Sequence, residues 1–234
     1  MISLGLEDAL SRMAEAASEE LLGGELVGLG SGATVARFVE ALGSRVSRLK
    51  VPVRVIPSSS QIELVAERVG LELAVSSRIP FLDVAVDGAD QIDGRFNMVK
   101  GGGGALLREE VLLGSAAKRL ILADESKYVD VLRAPVPVEV VPFARTFVEN
   151  RLVRLGGKPS LRLLAKGYPF VTENSNLIFD VGFGAIEDPP RLKDQLRIPG
   201  VVASGVFVGA GDVFYRACRD GRVERFEAKD RRSG

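Results

Sequence analysis

Residues 25–46 read ELVGLGSGATVARFVEALGSRV and combine a short apolar run, a glycine-rich turn and an amphipathic segment. The apolar run from Leu26 to Leu29 predicts a buried strand. The apolar residues that follow the turn recur at helical spacing: Val35, Phe38, Val39 and Leu42. A strand, a tight turn and a helix in this order are the first half of a βαβ unit.

The same order recurs along the first part of the chain. VPVRVIPSSSQIELVAERVG (51–70) repeats it, LDVAVDGAD (82–90) is a third strand that ends in a turn, and LILADESK (120–127) is a fourth. Alternating strands and helices predict a mostly parallel sheet flanked by helices. We therefore predict an α/β fold of the Rossmann-like type.

The pattern changes near APVP (134–137), after which a strand and a helix lead into shorter alternating strands around one further helix. This pattern is typical of a small α+β unit of the ferredoxin-like kind. The last strands can return to the large sheet. We predict a larger domain of residues 1–134 plus 205–234 and a small domain of residues 135–204.

The composition restricts the possible functions. The chain has 234 residues, 31 basic and 31 acidic side chains, one cysteine and no histidine. Balanced charge gives no electrostatic reason to bind nucleic acid or an anionic membrane, and one cysteine excludes an internal disulfide. With no signal-like N-terminus and no long apolar run, we expect a cytoplasmic enzyme or binding protein. Without histidine, acid–base chemistry falls to carboxylates, lysine or tyrosine.

The first glycine turn has two possible roles. Backbone N–H groups at a helix N-terminus attract anions, and Ser31, Gly32, Ala33 and Thr34 would form such a cradle. The turn is not a P-loop, because no Lys-Ser or Lys-Thr follows the glycines, and the next strand does not end in the acid that holds a ribose in dinucleotide sites. A phosphate cradle without a nucleotide and a plain βα turn both remain open.

Two further segments combine acids, a base and glycines. Asp87 and Asp90 flank Gly88 and Ala89 at a predicted strand end, where they suit substrate hydroxyls or, alternatively, turn capping. A metal site is less favoured there, because other acids are not clustered at ligand spacing.

Lys100 precedes Gly101, Gly102 and Gly103, whose N–H groups suit an oxyanion. Glu109 and Glu110 lie in the following helix. We expect Glu110 on the solvated face, and a surface position is also the commoner case for Glu109 considered alone.

Lys127 follows a fourth strand, in ADESKYVD (123–130). A lone lysine is usually a solvated residue. We predict, however, that all four segments lie at one edge of one sheet, which is where open α/β sheets bind ligands. The coincidence favours an active site more than any single segment does.

Together these segments resemble the A-type ribose-5-phosphate isomerase family. The family's patterns stand here, in order, as GSGAT (30–34), DGADQ (87–91), KGGGGALLRE (100–109) and DESK (124–127). Four features depart from the family. Gln91 replaces a glutamate, Gly104 replaces an alanine and should loosen its loop, and the usual N-terminal lysine has no clear match. The segment FVGAGDVFYRA (207–217) lacks the usual arginine and asparagine pattern.

The resemblance implies a reaction and a role for each segment. The reaction is the interconversion of D-ribose 5-phosphate and D-ribulose 5-phosphate through an enediolate, without metal or organic cofactor, with Glu109 as the base. The resemblance further implies that residues 31–34 and Lys127 hold the substrate, that residues 87–90 handle its hydroxyls and ring opening, and that residues 100–103 stabilise the enediolate. It also implies a homodimer or homotetramer.

Two alternatives are compatible with the same segments. The first is a non-catalytic sugar-phosphate sensor of the same fold, which would keep the phosphate turn but has no need of a base. The second is another phosphosugar enzyme, such as an amino-sugar-phosphate isomerase or a lactonase, for which histidine would be expected.

Overall fold

The computed structural model describes residues 4–46, 49, 51–78 and 81–228. Its α-helices are α1 (Leu4–Ser18), α2 (Ala33–Val46), α3 (Ser60–Arg68), α4 (Leu106–Ser115), α5 (Arg145–Arg154) and α6 (Pro189–Gln195). Its strands are β1 (Leu26–Leu29), β2 (Arg54–Pro57), β3 (Glu72–Leu73), β4 (Leu82–Gly88), β5 (Gln91–Ile92), β6 (Met98–Val99), β7 (Ala116–Asp124), β8 (Val136–Val140), β9 (Lys158–Leu161), β10 (Leu177–Gly182), β11 (Val201–Ser204), β12 (Val206–Phe207), β13 (Val213–Ala217) and β14 (Val223–Glu227). No helix in these ranges is both long enough and apolar enough to cross a membrane.

The described residues fall into two compact units. The first unit lies within residues 1–88, 111–127 and 210–234, and the second unit within residues 89–110 and 128–209. The predicted division of the chain differs from this one, because residues 89–110, 128–134 and 205–209 fall in the second unit.

The first unit contains a seven-stranded sheet in the order β14-β13-β7-β4-β1-β2-β3. Every neighbouring pair is parallel except β13 and β14. The sheet is therefore the predicted mostly parallel Rossmann-like sheet. The interior strand β1 is buried along its whole length, as its continuous apolar run predicts for a strand covered on both faces.

The chain order places a switch point in this sheet. From β1 the chain continues outward to β2 and β3, and β4 then pairs with the opposite side of β1. Ligands of open α/β sheets bind beyond the carboxyl ends of the strands at such a point. Here those ends carry the turn that begins at Gly30 and the aspartate Asp87.

The second unit is built around an antiparallel sheet in the order β11-β8-β10-β9. With α5 between β8 and β9 and α6 between β10 and β11, the chain order is βαββαβ, the ferredoxin-like arrangement predicted from sequence. A separate three-stranded sheet in the order β12-β6-β5 belongs to the same unit.

This small sheet corrects one expectation. Three of the four predicted site segments follow β1, β4 and β7, which are neighbours in the seven-stranded sheet. The fourth, which begins at Lys100, follows β6 and so leaves a different sheet. The prediction that all four lie at one edge of one sheet was wrong, because a strand of two residues carries too little pattern to be recognised in sequence.

A charged cluster in the first unit joins the end of α1 to the sheet. Glu20 accepts hydrogen bonds from Lys118, from the Tyr215 hydroxyl at 2.6 Å and from Arg225 Nε at 3.0 Å. Burial alone would raise the pKa of Glu20, but the three donors outweigh it and lower the pKa to about 2. Burial and the bond to Glu20 raise the pKa of Tyr215 to about 12.

Replacing Glu20 by glutamine should lower the free energy of unfolding by about 1–3 kcal/mol at pH 7, because three charge-assisted or buried hydrogen bonds are weakened. Since the folded-state pKa of Glu20 is depressed from 4.5 to about 2, its contribution is complete above pH 4.5 and is lost as the pH falls towards 2. Urea unfolding at pH 7 and pH 3 measures both effects.

The matched control is Glu149→Gln, at an exposed position of α5. It should change the unfolding free energy by less than about 0.5 kcal/mol at either pH. A gap between wild type and Glu20→Gln that is equally large at pH 3 and pH 7 would contradict the assigned titration.

Candidate active site

In the first unit, Gly30 allows the chain to pass directly against Asp87. The Gly30 amide donates to the Val86 carbonyl at 2.8 Å, and a Cβ placed on Gly30 would lie 1.9 Å from Asp87 Oδ1. Any side chain at position 30 would therefore occupy the space of the carboxylate. The structure brings the glycine turn and Asp87 together, as predicted.

The turn continues through Gly32 into α2. Gly32 has a φ of +90°, a conformation that favours glycine, and its amide donates to Gln61 Oε1 at 3.2 Å. Ser31 and Thr34 are partly exposed, and Ala33 at the start of the helix is exposed. The turn therefore offers hydroxyls and a helix N-terminus that an anion can reach.

Asp87 and Lys127 also belong to the first unit. The Asp87 side chain is 1% exposed, and its Oδ1 accepts from the Gly88 amide at 2.7 Å. Lys127 is half-buried at the end of a 3₁₀ turn directly after β7. Asp124 accepts from the Ser126 amide at 2.8 Å, so the aspartate of DESK shapes the turn that carries Lys127.

In the second unit, Lys100 and Glu109 form a buried ion pair. Lys100 Nζ lies 3.3 Å from Glu109 Oε2, and both side chains are only 3% exposed. Glu109 lies in the first turn of α4, where the helix dipole favours a carboxylate. Removing two charges from water is costly, so a buried pair of this kind points to a functional site more than to stability.

An aromatic ring confines the Lys100 ammonium. Phe207 is buried, and its ring centroid lies 5.5 Å from Lys100 Nζ and 5.6 Å from Lys193 Nζ. Lys193 in turn pairs with Glu110 at 2.9 Å. Glu110 is partly exposed, as expected for the outer face, but it is held by this ion pair.

The glycine loop closes into a tight turn. Gly101 and Gly104 have φ values of +101° and +86°, and the Gly104 amide donates to the Gly101 carbonyl at 3.0 Å. A Cβ on Gly104 would lie 2.4 Å from Cζ of Phe170. Glycine therefore suits both the backbone conformation and the neighbouring ring at position 104, and the expected loosening of the loop stays a prediction.

Asp90 and Gln91 occupy two structural positions near the start of the second unit. Asp90 Oδ2 accepts from the Gly102 amide at 2.9 Å, so Asp90 contacts the glycine loop. Gln91 Oε1 accepts from the amides of Arg133 and Ala134 at 2.7 and 2.8 Å. An amide oxygen accepts both bonds as a carboxylate would, which explains how glutamine is accommodated where the family pattern has glutamate.

Sequence reasoning missed two charged residues that support this region. Arg162 NH1 donates to the carbonyls of Gly101 and Gly102, although it lies about sixty residues further along the chain. Glu139 is fully buried in β8 and its Oε1 accepts three bonds, from Thr172, Asn174 and Asn176. A glutamate inside the apolar run VPVEV was a signal of this cluster, whereas nothing near Arg162 indicated its target.

Asn174 connects the Glu139 cluster to α4. Its Nδ2 donates to Glu139 at 3.1 Å, and its Oδ1 accepts from Arg108 Nε at 3.0 Å. Arg108 is the residue immediately before Glu109. The cluster therefore fixes the turn of the helix on which Glu109 lies.

The described residues contain no cluster of three or more aspartate, glutamate or cysteine side chains arranged to hold a metal ion. What they do contain is a glycine turn at the switch point of an α/β sheet and, in the second unit, a buried carboxylate beside a lysine and a glycine loop. The first set is typical of sites that bind an anion, and the second is typical of enzymes that move a proton.

Comparison with known proteins identifies the family. The profile of Ribose 5-phosphate isomerase A (phosphoriboisomerase A) matches residues 54–221, and the chain belongs to this family. It is 42% identical over 223 residues to a ribose-5-phosphate isomerase A of Rhodopseudomonas palustris (strain TIE-1), covering 92% of this chain and 96% of that protein. A relative of the same name in Methanosarcina acetivorans is 43% identical over 203 residues, covering 86% of each chain.

Solved structures of the same family share the fold. A D-ribose-5-phosphate isomerase in complex with phospho-erythronic acid superposes with a TM-score of 0.89 at 34% identity, covering 94% of this chain and 98% of that chain. The ribose 5-phosphate isomerase A of Methanocaldococcus jannaschii superposes with a TM-score of 0.88 at 34% identity, covering 94% and 99%.

The contact between Gly30 and Asp87 can be tested by adding one methyl group. Gly30→Ala should lower the free energy of unfolding by about 1–3 kcal/mol, because the new Cβ overlaps the carboxylate and forces it to move. Gly114→Ala is the control, since a Cβ at this position of α4 meets open space. It should raise stability by about 0.5–1 kcal/mol. Equal stability of Gly30→Ala and wild type in urea unfolding would refute the contact.

Proposed function

We propose that the chain is a ribose-5-phosphate isomerase that interconverts D-ribose 5-phosphate and D-ribulose 5-phosphate through an enediolate. Membership of the family supports the reaction. The single structural observation that carries the mechanism is the buried pair of Lys100 and Glu109, 3.3 Å apart. A protein that only bound a sugar phosphate would have no use for a base held in this way.

In the proposed mechanism, Glu109 is the base. Its carboxylate removes the proton from C2 of the open-chain aldose, and the resulting enediolate takes the same proton back at C1. A proton also passes from O2 to O1, so that the atoms of substrate and product balance. Because Glu109 is 2% exposed, the proton it carries is sheltered from exchange with bulk water.

Charge on the enediolate oxygens is stabilised by Lys100 and the glycine loop. The ammonium of Lys100 supplies a full positive charge, and Gly101 and Gly103 supply backbone N–H groups beside it. The Gly102 amide of the same loop is held by Asp90. These donors are held before the reaction begins, so little reorganisation accompanies the development of charge. No metal or organic cofactor is needed for these steps.

The remaining predicted residues are proposed to hold the substrate. Ser31, Gly32, Ala33 and Thr34, together with Lys127, bind the phosphate, and Asp87, Gly88, Ala89 and Asp90 handle the sugar hydroxyls and ring opening. The complex of a related isomerase with phospho-erythronic acid supports a phosphosugar as the substrate, because that acid combines a phosphate with a carboxylate that resembles the two enediolate oxygens.

We further propose that the protein is a cytoplasmic homodimer or homotetramer that binds neither nucleic acid nor membranes. Its formal charge of zero supports the absence of polyanionic partners. Large exposed apolar side chains in the second unit, among them Phe143, Phe147 and Tyr168, support self-association. Light scattering of the purified protein distinguishes a monomer from either oligomer.

The proposed reaction and its base are tested together. The wild-type protein should convert ribose 5-phosphate to ribulose 5-phosphate equally well with and without EDTA. Glu109→Gln should lower kcat by at least ~10²-fold with a much smaller change in KM, because the amide cannot accept the proton but still fills the site.

Glu110→Gln is the matched control, since it makes the same change at the next residue of α4. It should keep kcat within about 3-fold of wild type, because an exposed ion pair contributes little. Wild-type protein that binds ribose 5-phosphate without converting it would favour the sugar-phosphate sensor. Loss of turnover in EDTA would refute the metal-free mechanism, and a nearly fully active Glu109→Gln would remove Glu109 from its role.

Lys127→Ala should weaken binding of ribose 5-phosphate and of inorganic phosphate by about 10-fold or more, because one charged contact to the phosphate is lost. Isothermal titration measures both affinities. Lys158→Ala, at an exposed position of β9, should change neither. Unchanged phosphate affinity in Lys127→Ala would place the phosphate elsewhere.

A further inference from the structure

Arg162, in the second unit, contacts the backbone of the glycine loop with its guanidinium group. Its Nε and NH2 donate to the two oxygens of Asp180 at 2.9 and 2.5 Å. Its NH1 donates to the carbonyls of Gly101 and Gly102 at 3.0 and 3.1 Å. The side chain is 13% exposed. Asp180 therefore holds a largely buried guanidinium group through Nε and NH2, and the remaining nitrogen, NH1, points to the loop.

Because each peptide is planar, these two bonds to carbonyl oxygens also determine where the N–H groups of the same peptides point. The described peptide bonds are not cis, and in a trans peptide the N–H points away from the carbonyl. The peptide whose carbonyl is that of Gly101 directs the Gly102 amide to Asp90 Oδ2 at 2.9 Å. The next peptide directs the Gly103 amide away from Arg162 as well. No described residue accepts a bond from Gly103, which is exposed.

A second contact limits the loop at its other end. The ring of Phe170 occupies the space beside Gly104, and the Arg162 guanidinium lies 5.7 Å from the centroid of the same ring. The Phe170 amide also donates to the Arg162 carbonyl at 2.9 Å. Arg162 and Phe170 therefore form one support behind the loop.

Consecutive glycines need such a support. Glycine has the greatest backbone freedom of any residue, and rotation of a single peptide would exchange an N–H for a carbonyl. A carbonyl oxygen aimed at a developing oxyanion would repel it, whereas a fixed N–H stabilises it without reorganisation. A guanidinium bonded to both carbonyls opposes this rotation and polarises the two N–H groups on the other side of the peptides.

We propose that Arg162 is a positioning residue that keeps the Gly103 N–H of the glycine loop directed at the enediolate oxygen. The inference rests on the proposed isomerase reaction and adds a residue to it. Arg162 acts through the peptides of Gly101 and Gly102 and does not contact the reacting atoms.

The test compares Arg162 with a second arginine in a matched setting. Arg119 holds Asp212 with Nε and NH2 at 2.9 and 2.6 Å, and the exposures of the pair, 17% and 32%, resemble the 13% and 31% of Arg162 and Asp180. Arg119 lies in the first unit, whereas the glycine loop belongs to the second unit. Arg119→Lys and Arg119→Ala therefore reproduce the loss of a largely buried arginine–aspartate ion pair without the loss of the contacts to the Gly101 and Gly102 carbonyls.

Four quantities are measured for Arg162→Lys, Arg162→Ala and the two Arg119 variants: kcat and KM for ribose 5-phosphate, and Kd for phospho-erythronic acid and for inorganic phosphate. Both Arg162 variants should lower kcat by at least ~10-fold and should weaken the binding of phospho-erythronic acid to a similar extent. Removal of a direct oxyanion donor costs ~10²–10³ in kcat, and Arg162 acts on such a donor indirectly. KM and the Kd of phosphate should stay within about 2-fold, because the loop donors act on the oxyanion.

The outcomes separate the possible failures. A merely structural role would make the Arg162 and Arg119 variants alike in kcat and in the Kd of phospho-erythronic acid, and would overturn the inference. An equal loss of phosphate affinity would overturn it too. If Arg162→Ala does not fold, Arg162→Lys decides, because lysine keeps the charge but cannot hold Asp180 and both carbonyls at once. If the wild type does not isomerise, the proposed function fails, whereas the phospho-erythronic acid measurement still tests Arg162.

Discussion

The ion pair between Lys100 and Glu109 is the interaction to which the rest of the second unit is adapted. Burying both charges is unfavourable unless the surrounding structure holds them in contact, and the two residues lie at opposite ends of a glycine-rich segment. β6, which pairs with β12, fixes the backbone before Lys100, and the Lys100 amide donates to the Gly205 carbonyl at 2.9 Å. The Glu139 cluster reaches the first turn of α4 through Asn174 and Arg108. In the proposed reaction, this pair supplies a sheltered base beside a positive charge.

Close approach of the backbone is the second constraint, and it explains the glycines better than flexibility does. Gly30 leaves space for the Asp87 carboxylate, and Gly104 leaves space for the Phe170 ring. Gly205 passes so close to the Lys100 carbonyl and to Pro137 that a Cβ would lie 2.4 Å from the carbonyl oxygen. Each glycine thus marks a point where a functional group or its support occupies the volume of a side chain.

The sequence predicted much of the fold because its two periodicities are strong. The buried run at β1, the helical spacing of α2 and the strand–helix alternation identified the parallel sheet, and the shorter strands after residue 134 identified the ferredoxin-like unit. Prediction failed where the local pattern is short or silent. Two-residue strands such as β6 have no usable period, and the predicted division of the chain differs from the two compact units for residues 89–110. Gly104 and Gln91 were interpreted from how they differ from the family pattern, although the contacts around each of them accommodate the residue that is present.

The sequence by itself determined the chemistry that is available: no histidine, a set of carboxylates and lysines beside glycine turns, and the family to which these motifs belong. It could do so because motif residues are close together along the chain. Only the tertiary structure decided which of those residues are buried and which partners support them. Glu109 and Glu110 are adjacent in sequence, yet one is paired with Lys100 inside the second unit and the other with Lys193 at its surface. Arg162 reaches Gly101 across about sixty residues, and a contact of that separation arises only when the chain folds.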